Sequence, residues 1–167
     1  LRWIGELTWK RDARGSTPHH NSPRAALWLG KTLMGIWVDD VLRAVKVLKS
    51  DTNKISIIGI DYMGLVAIIA GALDTTISSV VAENFLSSYS RGGSFPGQSI
   101  GIMVPDILTN VGDVPHIASL VAPRELSIFH ALDSEGNALD KEELLSEFSF
   151  TMDIYKLMGA EKLILLK

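Results

Sequence analysis

The sequence predicts an α/β domain with a mostly parallel sheet flanked by helices. Three observations carry this. Short β-branched runs alternate with segments of helical period. The run Lys54–Ile60 passes into the apolar run Met63–Leu73 with only Asp61 and Tyr62 between them. At 167 residues the chain suits one domain with one core and is too short for two of ordinary size.

Composition narrows the function classes. A hydrophobic share of 47% excludes a disordered or collagen-like chain, and a formal charge of −3 gives no reason to expect nucleic acid. The absence of cysteine removes disulfides, thiolate chemistry and Cys-based zinc sites. No run reaches the ~18 apolar residues of a membrane span. The most hydrophobic interval, Ile55–Leu73, is interrupted by Asp61, Tyr62 and three glycines. The first residue is Leu1, with no basic leader after it, so any targeting segment is expected outside these residues. Cytoplasmic, periplasmic and secreted locations all stay open. Because both ends fall in structured-looking stretches, residues 1–167 are expected to be a single domain fragment, incomplete at each end.

Leu1–Lys10 alternates loosely and reads as a weak strand, with Asp12–Thr17 as a polar turn after it. Pro18–Pro23, carrying His19 and His20, is expected as loop. Adjacent histidines are poor metal-ligand spacing, and no motif asks for a metal or other cofactor. Leu33–Lys49 has apolar residues at three- and four-residue steps and predicts a sheet-packing helix, stopped by Ser50–Asn53. Lys54–Ile60 has the composition of a buried parallel strand, Met63–Leu73 of a short buried helix and Ile77–Ala82 of another strand. A βαβ unit with a right-handed crossover follows from that order.

Residues 83–108 are irregular, rich in Ser and Gly with Pro96 in the middle, and suit either a functional loop or a surface excursion. Val114–Ala122 predicts a short helix that tolerates Pro115 in its first turn, and Leu126–Ala131 a strand. After a loop over Leu132–Leu139, Asp140 and Glu143 have the spacing of a capping box. The helix they open is expected to run to about Met158, with Gly159 ending it and Lys162–Leu166 as a final strand.

Three strand exits carry acidic residues: Asp61, Glu83 and Asp133. In an open α/β sheet the carboxyl ends of the strands line the ligand crevice. Glu83 and His130, which ends its strand, are therefore candidate pocket residues. Asp61 stands out, because a strand entering a helix through so tight a bend holds its apex residue in strained backbone above the sheet. That is the geometry of a nucleophile elbow. Two readings of Asp61 compete. As a nucleophile it would form an ester that histidine-activated water hydrolyses; as a vestige it would cap the following helix. No histidine follows Leu132, where a base in the usual chain order would fall.

These segments, in this order, resemble the α/β-hydrolase superfamily, and most closely its acetyl xylan esterase-like branch of carbohydrate esterases. Asp12–Thr17 is similar to the segment after the fourth strand, Leu29–Leu48 to the helix before the elbow, and Lys54–Tyr89 to the strand, elbow, helix and next strand. Asp113–Asp133 resembles the approach to the strand whose exit carries the triad acid. The resemblance implies that Gly59 matches the first glycine of G-x-S-x-G, that Asp61 replaces the serine and that Met63 replaces the second glycine. It gives the Tyr62 backbone N–H an oxyanion role, sets Asp133 at the triad acid and leaves the histidine without a counterpart. It also implies a partial fold, the fourth to eighth strands, whose middle third strand comes from another segment or subunit. Asp61 followed by an aromatic residue is locally similar to haloalkane dehalogenases and epoxide hydrolases.

Three functions follow as expectations. The first is a carbohydrate esterase-like domain impaired as a serine esterase, its ligand an acetylated carbohydrate or small ester. The second is an Asp61-nucleophile hydrolase with a histidine from outside the chain. The third is a non-catalytic carbohydrate-binding or assembly domain.

Overall fold

The computed structural model describes residues 19–49, 54–98 and 100–167; the strand and turn expected over 1–17 lie outside them. Four parallel strands, β1 (Ile55–Ile60), β2 (Ile77–Glu83), β3 (Glu125–Phe129) and β4 (Ile164–Leu166), lie side by side in chain order. Ile60 stands opposite Glu83, and Glu83 opposite Phe129. The crossovers carry α3 (Tyr62–Leu73), then α4 (Ile107–Asn110) and α5 (Val114–Ser119), then α6 (Lys141–Glu147) and α7 (Ser149–Leu157). Two helices precede the sheet, α1 (Asn21–Trp28) and α2 (Leu33–Leu48).

Of the α2 stripe read from the sequence, Leu33, Met34, Trp37 and Val45 are nearly inaccessible, whereas Ala44 and Leu48 toward its end are exposed. Its start is fixed by Thr32, whose hydroxyl accepts a hydrogen bond from the Gly35 N–H at 3.0 Å. The expected βαβ unit is present, with α3 entered immediately after β1. α3 packs closely on β2 through Gly71, where a Cβ would overlap Val80. α5 and α7 are joined by the Thr151 hydroxyl, which donates to the Pro115 carbonyl at 2.8 Å. Under this layer Val80, Ala82, Leu126 and Ile128 are fully buried.

Three expectations are corrected. Residues 21–28 are helical, although Pro18–Pro23 read as loop; Pro23 is tolerated because the first helical turn has no use for its missing N–H. The helix expected from Asp140 to about Met158 is two helices broken at Phe148, which leaves helical geometry (ψ 18°) and is buried against Phe85 at 6.4 Å between ring centroids. β1 is not buried on both faces. Its alternate residues Ile58 and Ile60 are 70% and 52% exposed, because the described crossover helices cover the other face, and β1 is an edge strand among the described residues.

Candidate active site

The site begins at the turn between β1 and α3. Gly59 lets the two approach: a Cβ there would overlap the Met63 carbonyl. Gly64 does the same a turn later, against Phe85. Asp61 takes φ 55°, ψ −138°, a backbone region that strongly favours glycine. Its N–H donates to the Glu83 carbonyl at 2.9 Å, and its own carbonyl accepts from the Gly64 N–H at 2.8 Å. The Asp61 side chain caps nothing, which corrects the capping reading: in this backbone region it makes no hydrogen bond to the α3 N–H groups. Tyr62, as the first residue of α3, still contributes one of the helix's first-turn N–H groups.

The same device recurs along the sheet. Asn84 follows β2 at φ 53° and donates its N–H to the Phe129 carbonyl; His130 follows β3 at φ 49° and donates its N–H to the Lys167 carbonyl. Asp61, Asn84 and His130 therefore form one row across the carboxyl edge of the sheet, each extending its strand by one hydrogen bond before turning away.

Over the β1 and β2 end of this row lies a cavity of about 390 Å³. Its apolar wall includes Leu65, Leu86 and Ile102, and its polar groups are Asp61, Asn84, Tyr89 and Gln98. Among the described residues none of these four side chains has a hydrogen-bond partner in the protein. Among the described residues Asp61 is the one Asp, Glu, Lys or Arg in the lining. Tyr62 also lines the cavity and stacks on Trp37 at 5.6 Å; burial, reinforced by the Asp61 charge, pushes its phenol up.

The Tyr89 wall is held from behind by Asp113. This buried carboxylate accepts five hydrogen bonds: from the hydroxyls of Ser88 and Ser90 and from the N–H groups of Tyr89, Ser90 and Val114. Burial opposes its ionisation, but the hydroxyl and amide donors outweigh burial and hold its carboxyl below the usual range. Burial likewise pushes the Tyr89 phenol up, helped by the Asp113 charge. Next along the chain, Arg91 pairs with Glu143 at 2.9 Å and Glu147 at 3.4 Å, tying the loop to α6.

The remaining sequence candidates lie elsewhere. Glu83 and His130 pair with each other at 3.6 Å on an accessible part of the sheet edge, and neither lines the cavity. Asp133 also stays outside the lining. Its Oδ1 accepts from the Glu135 and Asn137 N–H groups and its Oδ2 from the Asn137 amide, bonds that close its own loop and hold its carboxyl low. His116 is structural, its Nδ1 accepting from the Asp113 N–H and its ring set against Phe150. His19, read as loop, sits edge-on to both Trp37 and Tyr62, 5.0 Å from the latter.

Sequence reasoning missed Asn84, Gln98 and Asp113. Asn immediately after a strand, a residue type that tolerates left-handed backbone, was the available signal for the first. Asp two residues before Pro115, a helix-start pattern, was the signal for the third. Gln98 had none.

No protein-family profile matches the sequence, and no curated protein matches it. Solved structures do. A Bacteroides fragilis protein provisionally named an acetyl xylan esterase superposes with a TM-score of 0.70 at 21% identity, over 99% of this chain and 44% of its own. A family 15 glucuronoyl esterase from Caldicellulosiruptor kristjansonii gives 0.62 at 16% identity, over 81% and 44%. The glucuronoyl esterase catalytic domain of Hypocrea jecorina gives 0.60 at 19%, over 82% and 45%. The chain thus spans less than half the length of these structures, and its four-stranded parallel sheet with its helices is part of an α/β-hydrolase fold.

Proposed function

We propose that this chain is part of an α/β-hydrolase of carbohydrate-esterase lineage that no longer works as a serine esterase. The observation that carries the reading is Asp61: a carboxylate at the strained apex between β1 and α3, facing the cavity. Serine-esterase chemistry needs a hydroxyl there, activated by a histidine, and donors that receive negative charge as the tetrahedral intermediate forms. A carboxylate supplies no such hydroxyl, and its charge opposes an oxyanion at the adjacent Tyr62 N–H. The Asp133 carboxylate, where the resemblance sets the triad acid, is engaged by its own loop through three accepted hydrogen bonds. Treating the intact protein with a serine-directed phosphonate tests this: no label is expected, and stoichiometric label on a serine overturns it.

One observation favours a second reading. The Asp61 carboxylate has no hydrogen-bond partner among the described residues and is presented to the cavity, as a nucleophilic carboxylate must be. The required histidine would come from outside the chain. Trapping with a slow ester or haloalkane substrate should then leave an ester on Asp61 in the peptide mass spectrum; its absence counts against the reading.

The exposed face and edge of β1 support a further segment or subunit completing the sheet. Because N–H direction alternates along a strand and Asp61 bonds toward β2, the Ile58 and Ile60 amides point to the open edge. Slow hydrogen exchange at those amides in the intact protein is expected; free exchange removes the proposal.

A further inference from the structure

Among the described residues Trp28 is the most exposed large apolar side chain, at 84%, and its neighbours Leu27 and Leu29 are 50% and 73% exposed. The three form the tip between α1 and α2. There Gly30 takes φ 67° with open space around it, and three main-chain bonds of 3.0 Å fasten the turn: the Leu29 and Lys31 N–H groups donate to the Ala26 carbonyl, and the Gly30 N–H to the Leu27 carbonyl. Ala26 itself is fully buried. The tip is therefore fixed by the fold, and these three amide donors are already satisfied, as entry into a poorly hydrating medium requires.

Direction and charge select what covers this tip. Successive helical residues point about 100° apart, so Leu27, Trp28 and Leu29 fan over roughly 200°. A protein groove laid along one side of α1 covers a narrower stripe than that. A medium that surrounds the tip covers all three. Between His19 and Val38 the chain carries Arg24 and Lys31 and no Asp or Glu. Lys31 follows the tip directly and Arg24 lies one helical turn behind Trp28, and both are exposed. The first acid along the chain, Asp39, stands in the second turn of α2 and is paired with Arg43 at 2.9 Å. Apolar side chains at the end, an indole N–H among them and cations just behind match the layering of an anionic bilayer surface, from acyl boundary to ester carbonyls to phosphates. Among the described residues no helix is long and apolar enough to cross a membrane, so the contact is with the surface. The end of α7 lacks this pattern: Leu157 and Met158 are 82% and 52% exposed, but Asp153 and Glu161 offset Lys156 and Lys162 around them.

We propose that Leu27, Trp28 and Leu29 form a peripheral anchor that seats the protein on an anionic lipid bilayer, with Arg24 and Lys31 among its phosphates. The anchor uses none of the cavity residues, so it stands apart from the reading of Asp61.

The test is cosedimentation of the intact protein with vesicles of phosphatidylcholine alone and of phosphatidylcholine containing about one-third phosphatidylserine. With two basic side chains at the surface, the anionic vesicles should bind at least about tenfold more tightly at ~0.1 M salt, and most of that preference should go at ~0.5 M. Trp28→Ala should weaken binding by about tenfold or more while circular dichroism stays unchanged. Arg24→Gln combined with Lys31→Gln should bring the two vesicle types to within about twofold. Leu157→Ala, at a similarly exposed apolar site, should leave binding as it is. Failure to sediment with either vesicle, equal binding to both, or a folded Trp28→Ala variant of unaltered affinity overturns the proposal. So does a Leu157→Ala variant that loses as much as Trp28→Ala, or a double Gln variant that keeps the preference. A dimer in analytical ultracentrifugation that Trp28→Ala dissociates, with no vesicle binding, assigns the tip to a second copy and overturns the proposal as well.

Discussion

Asp61, which lines the cavity, and Asp113, which lies behind its Tyr89 wall, are two carboxylates treated in opposite ways. Asp113 is 8% exposed and accepts five hydrogen bonds from the loop that carries Tyr89. Asp61 is exposed, strained in its backbone and without a hydrogen-bond partner among the described residues. The difference separates what builds the wall from what faces the contents: saturated polar groups fix geometry, and unsaturated ones are kept for a ligand.

That contrast can be broken from the Asp113 side with the largest effect. Asp113→Ala leaves five donors around a buried site and should lower unfolding free energy in urea by roughly 3 kcal/mol or more. Its folded carboxyl is held below the unfolded value of about 3.9, so its stabilisation is complete above that pH and is lost as pH falls through the folded pKa. Asp113→Asn should therefore flatten the fall in stability between neutral pH and about pH 3. A variant with the same acid slope as the parent would show that other carboxylates, Asp74 and Asp133 among them, carry it.

Gly59→Ala comes next. The added methyl meets the Met63 backbone carbonyl, which has no flexible end to give way, and should cost about 2–3 kcal/mol in the same measurement. Asp61→Gly sharpens the comparison by its sign. Relief of the positive φ, with no hydrogen bond to lose, should raise stability by about 1 kcal/mol. A loss of stability there would mean that Asp61 is structural, as Asp113 is. Arg43→Ala sets the baseline: its ion pair with Asp39 is an exposed i,i+4 contact, and removing it should change stability by less than about 0.5 kcal/mol.

Periodicity made most of this architecture legible. The α2 stripe, the β1–α3–β2 unit and the Asp140–Glu143 capping box are found where local pattern placed them, since each depends on neighbours in sequence. Phe148 breaks a helix that reads as continuous because it packs on Phe85, a contact between residues far apart in the chain. The site was less legible for the same reason. Asp61 is recognisable from two flanking elements, but Asn84 and Gln98 join it only through strand pairing and the course of a long loop. Asp133 and His130 have the right positions at strand ends, yet orientation, which spacing does not encode, turns their side chains elsewhere.

The row of left-handed residues along the sheet edge has one more effect. Asp61 hangs from Glu83, Asn84 from Phe129 and His130 from Lys167, so each exit is fastened to the strand beside it by a main-chain bond. The gap between Asp61 and Asn84 is then a property of the sheet lattice, as rigid as the spacing of its strands, and a guest would find its two contacts already at their working distance. Little ordering would remain to be done on arrival, so changes in affinity among guests would reflect what they carry on their rims and hardly at all how the host rearranges.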